Sequence, residues 1–328
     1  MAGFLHYIPL NHTDKGGMTM FLSITRMVVP VLLMFLLGWF CHYRQIISAE
    51  GLKGIKDLVS SVLLPVVLFN AFFTAEYSGT IALTFGTVYV ACALGLAIGF
   101  LLRRCAGKHG RFLPFLVTNF EGGMMGYALF ALLYPGQTHI FAMADIGQTL
   151  NAFTVFLITM QAVNSGKVNP GSLIKSAVTN PALIGSLLGV LLGATGIGKT
   201  VLTSPAGAVV SDAISFIAAP VSGLILVIVG YELNFRRKLM KPVLITAALR
   251  IVVAGALLGL SSLLIFSIIP FDKKLFTALM LAWSLPAPFI IPLFADMGDD
   301  AEYISTTLSM ETIVSILLFI GVAAYSLA

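Results

Sequence analysis

Two apolar segments of this chain are interrupted by residues that break helices and that are also able to contact a ligand. The first contains Asn119 and the run Glu121-Gly122-Gly123, and the second contains the run Pro286-Ala287-Pro288. Glycine loosens a helical backbone and proline removes an N–H donor, so each run leaves backbone groups without helical partners. Free N–H groups at a helix N-terminus suit a carboxylate, whereas free carbonyls suit a cation or a protonated group. We therefore expect all these residues to contact substrate.

Ionisable and amide side chains lie close to these breaks in apolar surroundings. Asp145, Gln148 and Asn151 are spaced three residues apart, which places them on one face of a helix. An ionisable group at the centre of a bilayer costs at least about 2.5–3.5 kcal/mol, so such a group is a functional candidate. Glu121 is the strongest candidate for a group that carries a coupling proton. Asp145 is a second coupling candidate, and its alternative is an interfacial residue. Gln148 and Asn151 are expected to line the site.

The last apolar segment adds a second set of polar residues. Thr307 and Ser309 are expected to line the site, and Glu311 is a further candidate for proton or ion coupling. The alternative for Glu311 is a hydrogen bond between helices. Arg250 lies within two turns of a segment end, so we expect its long side chain to snorkel towards that end rather than to bind an anion. The structural alternative for Glu121 is a pair with Arg250 or a role as a cap on free backbone N–H groups.

The composition is that of an all-α membrane protein. The 328 residues are 58% hydrophobic and 10% charged, whereas a soluble domain carries about 25% charged residues. The net charge of +5 does not indicate nucleic acid, because the basic residues lie in short loops between apolar segments. The run Gly193–Thr200 fits a phosphate-loop pattern in its letters, but it follows an apolar segment rather than a strand. We find no catalytic or metal-ligand spacing, and expect no enzyme activity and no cofactor beyond a coupling ion, H⁺ or Na⁺.

Charges, glycines and prolines divide the chain into ten candidate membrane spans of about 20 residues each. They cover residues 21–41, 55–75, 80–102, 112–134, 138–163, 173–195, 206–230, 243–269, 274–294 and 302–326. Thirteen of the 19 lysines and arginines lie in the loops after spans one, three, five and seven. Such loops are cytoplasmic, so both termini are predicted to be extracytoplasmic in a multi-pass protein of the cell membrane.

The two halves of the chain are similar to each other. Leu64-Pro65-Val66 in span two matches Ala219-Pro220-Val221 in span seven, and the segment from Thr149 matches the segment from Thr307. Together with the two breaks, these matches follow one order at similar offsets. Five spans is an odd number, so the second copy must insert upside down, as an inverted repeat. We predict a tail at 1–20, a first repeat at 21–163, a cytoplasmic linker at 164–172 and a second repeat at 173–328.

These motifs together resemble those of the auxin efflux carrier family, the prokaryotic relatives of the plant PIN carriers within a larger group of bile-acid-type transporters. The resemblance covers nearly all ten spans. It depends on Leu64-Pro65, the segment from Asn119 to Gly126, Asn180-Pro181, the segment from Ala219 to Gly230, Pro286 and the Ser/Thr-rich start of span ten.

The resemblance implies two inverted five-helix repeats, crossed broken helices at spans four and nine, and a scaffold with a transport domain that moves like an elevator. In the wider group, spans one, two, six and seven usually form the scaffold. Known substrates of the family are organic anions such as auxin, malate and malonate. The family often has a proline in span four, where this chain has Glu121-Gly122-Gly123. An acid there repels a carboxylate unless it is protonated, which suggests proton coupling or another ligand class.

The sequence thus predicts a secondary transporter of a small organic anion such as a mono- or dicarboxylate, working by alternating access and coupled to protons through Glu121. The alternatives are an ion or solute channel and a carrier of cationic or zwitterionic solutes that bind Glu121. A membrane sensor is a further alternative. The expected partners are the lipid bilayer and, through large apolar faces, a second copy in a homodimer.

Overall fold

The computed structural model describes residues 17–75, 79–165, 179–294 and 297–328, together with positions 171 and 175. Every regular element in these residues is a helix, as the composition predicts. The predicted tail and linker lie mainly outside the described residues, although the first helix already begins at Gly17, inside the predicted tail.

Thirteen α-helices within the described residues define the architecture. They are α1 (Gly17–Tyr43), α2 (Ala49–Phe73), α3 (Gly79–Leu102), α4 (Leu113–Leu116), α5 (Tyr127–Leu133), α6 (Thr138–Val163), α7 (Pro181–Ala194), α8 (Ile197–Thr203), α9 (Gly207–Tyr231), α10 (Met240–Phe266), α11 (Lys273–Ser284), α12 (Ile291–Phe294) and α13 (Ala301–Leu327).

Seven helices in the described residues are long and apolar enough to cross a membrane, and the pair α7 and α8 adds an eighth if it counts as one span. The axes of α7 and α8 differ by 79°, and the bend lies at Gly196, whose φ is 79°. The run that fits a phosphate-loop pattern therefore lies at a bend between two helices. The predicted count of ten spans is not confirmed, because the segments at 112–134 and 274–294 consist of shorter helices around non-helical breaks.

Local signals in the sequence explain where several helices begin. The Asn180 side chain accepts a hydrogen bond from the Leu183 N–H, and Pro181 occupies the first turn of α7. Asp272 caps α11 in the same way, because its carboxylate accepts from the N–H groups of Lys274 and Leu275. These caps fix the ends of helices that lead into the interior.

The long helices pack as two groups. The first helix group is α1, α2, α7 and α9, in which α1 packs on α9 and α2 packs on α7. The α2–α7 contact is close because Gly185 and Gly189 lie against the backbone of Pro65 and Phe69. Small residues four apart let membrane helices approach in this way.

The second helix group is α3, α6, α10, α11 and α13. Here α3 packs on α6 and α10, and α11 packs on α6, α10 and α13. The groups meet where α1 contacts α13 and α2 contacts α6, and α9 also contacts the short helix α5. The two breaks in the chain lie at this meeting, so the packing of long helices positions the candidate site.

Candidate functional site

The first break separates α4 from α5. After α4 the chain turns at Asn119, which has a positive φ of 44°, a conformation that asparagine tolerates better than most residues. The chain then forms one π-helical turn over Gly122–Gly126 before α5 begins. This turn directs the Asn119 carbonyl into the protein interior, outside the hydrogen-bonding pattern of a helix.

The second break separates α11 from α12. α11 ends at Ser284, and Leu285 is extended, as expected for a residue that precedes a proline. Pro286 and Pro288 supply no N–H donor, so the free donors of this segment are the N–H groups of Ala287 and Phe289. The Ala287 N–H donates to Glu311 Oε2 at 2.9 Å, and the Phe289 N–H donates to Glu121 Oε2 at 2.6 Å.

The two breaks bind each other through their backbones. The Glu121 N–H donates to the Pro286 carbonyl at 2.9 Å, in addition to the contact between Phe289 and the Glu121 carboxylate. The Phe120 ring packs edge-on against Trp283, with ring centroids 5.5 Å apart. Unpaired backbone groups cost several kcal/mol inside hydrocarbon, and these contacts between the breaks satisfy them. The breaks therefore form one joined unit.

A cavity of about 550 Å³ lies against this unit, between the two helix groups. Six predicted site residues line it, namely Glu121, Gly123, Asp145, Gln148, Pro288 and Ser309. Its mouth has exposed Lys56 and Glu232, which form an ion pair at 2.5 Å. Beyond the site, buried rings of Tyr127, Phe130 and Phe141 pack together. The cavity thus opens at the end that carries the loops predicted to be cytoplasmic.

The inner end of the cavity is acidic and rich in hydrogen-bond acceptors. Glu121 and Asp145 are both buried, at 7% and 3% exposure. Tyr127 and Thr149 are hydrogen-bonding neighbours of the Asp145 carboxylate. Lys56 is the one basic residue among the described residues that line the cavity, and it lies at the mouth.

Other predicted site residues support the cavity from behind. Asn119 Nδ2 donates to Asn151 Oδ1 at 3.2 Å, and Asn151 Nδ2 donates to the Tyr89 carbonyl at 3.1 Å. The Gln148 amide donates to the Phe120 carbonyl. The Gly122 N–H, predicted to contact substrate, donates to the same carbonyl at 3.0 Å. Asn119 and Asn151 therefore hold the first break in shape and do not line the cavity.

The residues predicted on α13 fall into different places. Ser309 lines the cavity and accepts a hydrogen bond from the Asn234 N–H at 2.9 Å, whereas Thr307 is fully buried outside it. Glu311 is buried behind the second break, where it accepts from Ala287 and lies 3.6 Å from the Arg250 Nε. Glu311 therefore has a structural role, as a cap on the second break and as the ion-pair partner of Arg250 on α10.

Arg250 is the residue that the sequence interpretation placed wrongly. Its side chain is 5% exposed and does not snorkel. It donates five hydrogen bonds to the carbonyls of Leu116, Thr118, Asn119 and Leu285. Its carboxylate partner is Glu311 and not Glu121. A charged residue inside an apolar segment was the sequence signal of a buried role for Arg250. Its partners could not be predicted in the same way, because they come from distant parts of the chain.

Comparison with known proteins places this chain among membrane transporters. The sequence matches the family described as "Membrane transport protein" over residues 23–170 and 167–322. It is also 26% identical over 311 residues to a protein of Methanothermobacter thermautotrophicus named "Uncharacterized transporter", covering 90% of this chain and 96% of that protein.

The fold and the comparisons define a multi-pass membrane transporter, which is a class of protein distinct from enzymes. Within that class, the chain belongs to the membrane transport protein family, the family of the auxin efflux carriers that its sequence resembles.

Proposed function

We propose that this protein is a secondary active carrier of a small solute, and that the cavity at the joined breaks is its substrate site. The observation that carries this proposal is a cavity of about 550 Å³ whose inner wall contains residues of both breaks. Small-molecule sites usually have volumes of about 300–1,000 Å³. A site formed by broken helices at the interface of two repeats is also the usual construction in secondary transporters.

The first candidate substrate is a small organic anion, such as a mono- or dicarboxylate, carried together with a proton. Glu121 and Asp145 lie at the inner end of the cavity, and an anion is repelled while both are ionised. A protonated carboxyl group instead donates a hydrogen bond to a carboxylate. Proton uptake by Glu121 or Asp145 then accompanies anion binding, and this is the coupling step.

The second candidate substrate is a cationic or zwitterionic solute. The two carboxylates Glu121 and Asp145 favour it, because both line the cavity and an ammonium group pairs with ionised carboxylates. In this case the carboxylates bind the substrate in their ionised form, and no proton need accompany it.

Transport is proposed to follow an elevator mechanism in which the second helix group moves past the first. The cavity lies between the groups, and the joined breaks pack mainly with the second group. The two halves are proposed to be an inverted repeat, and their packing is symmetric, because the pair α1–α9 corresponds to the pair α7–α2 when the halves are exchanged. The first group is the counterpart of the scaffold, and its apolar outer face is a candidate homodimer surface.

A carrier is favoured over a channel by the packing beyond the site. Phe141 is buried and in ring contact with buried Tyr127 and Phe130, where a channel needs a continuous path. A channel predicts flux that does not saturate and no counterflow of labelled against unlabelled solute in proteoliposomes. Saturation with counterflow supports the carrier.

The substrate class is tested by thermal stabilisation of the purified protein with carboxylates, amino acids and amines at two pH values. A ligand of the folded state raises the Tm by mass action. Stabilisation by a carboxylate that increases at lower pH supports the proton-coupled anion carrier. Stabilisation by amines or zwitterions alone contradicts it and supports the second candidate.

Substitution of Glu121→Gln tests the coupling role. The glutamine keeps an oxygen that accepts the Phe289 N–H but carries no titratable proton. We expect uptake of the stabilising ligand into proteoliposomes to lose its pH dependence, whereas Glu302→Gln, an exposed carboxylate paired with Arg236, leaves it unchanged. An unaltered pH profile in Glu121→Gln shows that Glu121 does not carry the proton.

A further inference from the structure

The Arg250 side chain has a set of partners that a bound metal cation would also use. Its guanidinium donates to four backbone carbonyls at 2.7–3.1 Å and lies 3.6 Å from Glu311. Four carbonyl oxygens and one carboxylate are the oxygen ligands that hard cations prefer. The group is buried, so bulk water does not compete for these oxygens.

The four carbonyls come from both breaks. Leu116 is the last residue of α4, and Thr118 and Asn119 follow it, whereas Leu285 follows the last residue of α11. Carbonyls at a helix C-terminus lack helical partners and carry a partial negative charge. In broken-helix transporters such carbonyl ends are where a coupling cation binds. In this chain the Arg250 side chain, which comes from α10, donates hydrogen bonds to the free carbonyls of both breaks.

We propose that Arg250 is a resident cation that permanently occupies the position of a coupling metal ion, so that the joined breaks assemble without Na⁺ or K⁺ from solution. Of the two coupling ions expected from the sequence, this leaves H⁺. Arg250 is a positioning residue, because it acts on the site through the backbone of both breaks. The transport consequence rests on the proposed carrier function, whereas the cation position is testable without any substrate.

Arg250→Ala is the direct test, with guanidinium chloride at low millimolar concentration as the probe. Removing one partner of a buried ion pair is strongly destabilising, and we expect the Tm to fall by about 10 °C. Guanidinium fits the vacated position and is expected to restore most of that fall. Urea, which is similar in shape but uncharged, is expected to restore none. Arg104→Ala removes an exposed arginine and serves as the matched control, with no fall and no response to guanidinium.

Trp283 provides a second readout at the site itself. It is buried and contacts Phe120 across the two breaks, whereas Trp39 lies exposed on α1. In a Trp39→Phe background, Trp283 is the one remaining tryptophan of the two in the chain. We expect Arg250→Ala to change its emission and guanidinium to reverse that change. A general loss of packing would not respond to guanidinium, so rescue separates the proposed role from a merely structural one.

Two outcomes overturn the proposal. The first is an Arg250→Ala protein whose Tm and emission respond to guanidinium no more than to urea. If that variant does not fold, Arg250→Ala combined with Glu311→Gln removes the unpaired carboxylate and is tested in the same way. The second is a wild-type protein that Na⁺ or K⁺ stabilises over choline at equal ionic strength, because a site that is already filled cannot bind them. Neither outcome depends on the substrate, so both are distinguishable from failure of the carrier proposal.

Discussion

At the scale of single residues, the contact between Gly122 and Asp145 fixes the shape of the cavity's inner end. A Cβ atom at position 122 overlaps the Asp145 carboxylate, whereas a Cβ atom at position 123 has its nearest neighbour, in Leu64, at 3.5 Å. The two glycines are adjacent in the chain and yet face different surroundings. One is required by close approach, and the other is free to carry a methyl group.

We therefore expect Gly122→Ala to destabilise the protein by about 1–3 kcal/mol, the usual cost of overpacking, and to reduce uptake by displacing the Asp145 carboxylate. Gly123→Ala is the matched control for stability, which is expected to stay close to that of the wild type. Thermal unfolding and proteoliposome uptake measure the two effects. Equal behaviour of the two variants contradicts the close approach of Gly122 to Asp145.

The sequence predicted which residues belong to the site better than it predicted which groups each of them contacts. Periodicity placed Asp145 and Gln148 on one helix face, and both line the cavity. It gave the wrong environment for Arg250, because the carbonyls that bind its guanidinium lie up to 134 positions away in the chain. A helical repeat shows which side chains share a face, but it does not show which backbone will approach that face.

At the scale of elements, the α2–α7 interface depends on small residues. A Cβ atom at Gly189 meets the Phe69 carbonyl, which is backbone and cannot rotate away, whereas Gly255 on α10 has no atom within 4 Å of its Cβ position. We expect Gly189→Ala to lower the free energy of unfolding by about 1–3 kcal/mol. Gly255→Ala should change it by no more than about 1 kcal/mol, in the direction of stabilisation.

Denaturation of both variants in the same detergent, followed by circular dichroism, compares them. A Gly189→Ala protein as stable as Gly255→Ala shows that α7 is able to shift along α2 without cost. In that event the first helix group is less rigid than a scaffold needs to be.

The broken elements were predictable because glycine and proline act locally, whatever surrounds them. The number of crossings was harder to predict, because it depends on how far each helix continues. The predicted span 173–195 is followed by a sharp bend at Gly196 and then by α8, a turn that composition does not indicate. Apolar character alone does not distinguish a straight helix from a bent pair.

At the scale of the whole molecule, the three cysteines provide a test of orientation without any substitution. Cys41 and Cys92 are buried, whereas Cys105 is exposed in the turn after α3, at the end predicted to be cytoplasmic. We expect a membrane-impermeant maleimide to label the protein in inside-out vesicles and not in right-side-out vesicles. Cys105→Ser is the control and should abolish labelling. Labelling from the outside reverses the predicted orientation, and the cavity then opens outwards.

The backbone donors of the second break have a kinetic consequence for the unloaded protein. Ala287 and Phe289 already donate to Glu311 and Glu121, so the break does not depend on a ligand to satisfy these two groups. In a carrier whose ligand-free form left such donors without hydrogen-bond partners, the empty site would not cross the membrane. Only the loaded site would return, and the protein would be an obligatory exchanger. For the carrier proposed above, this arrangement instead favours return of the empty site and therefore net accumulation or net efflux of its solute.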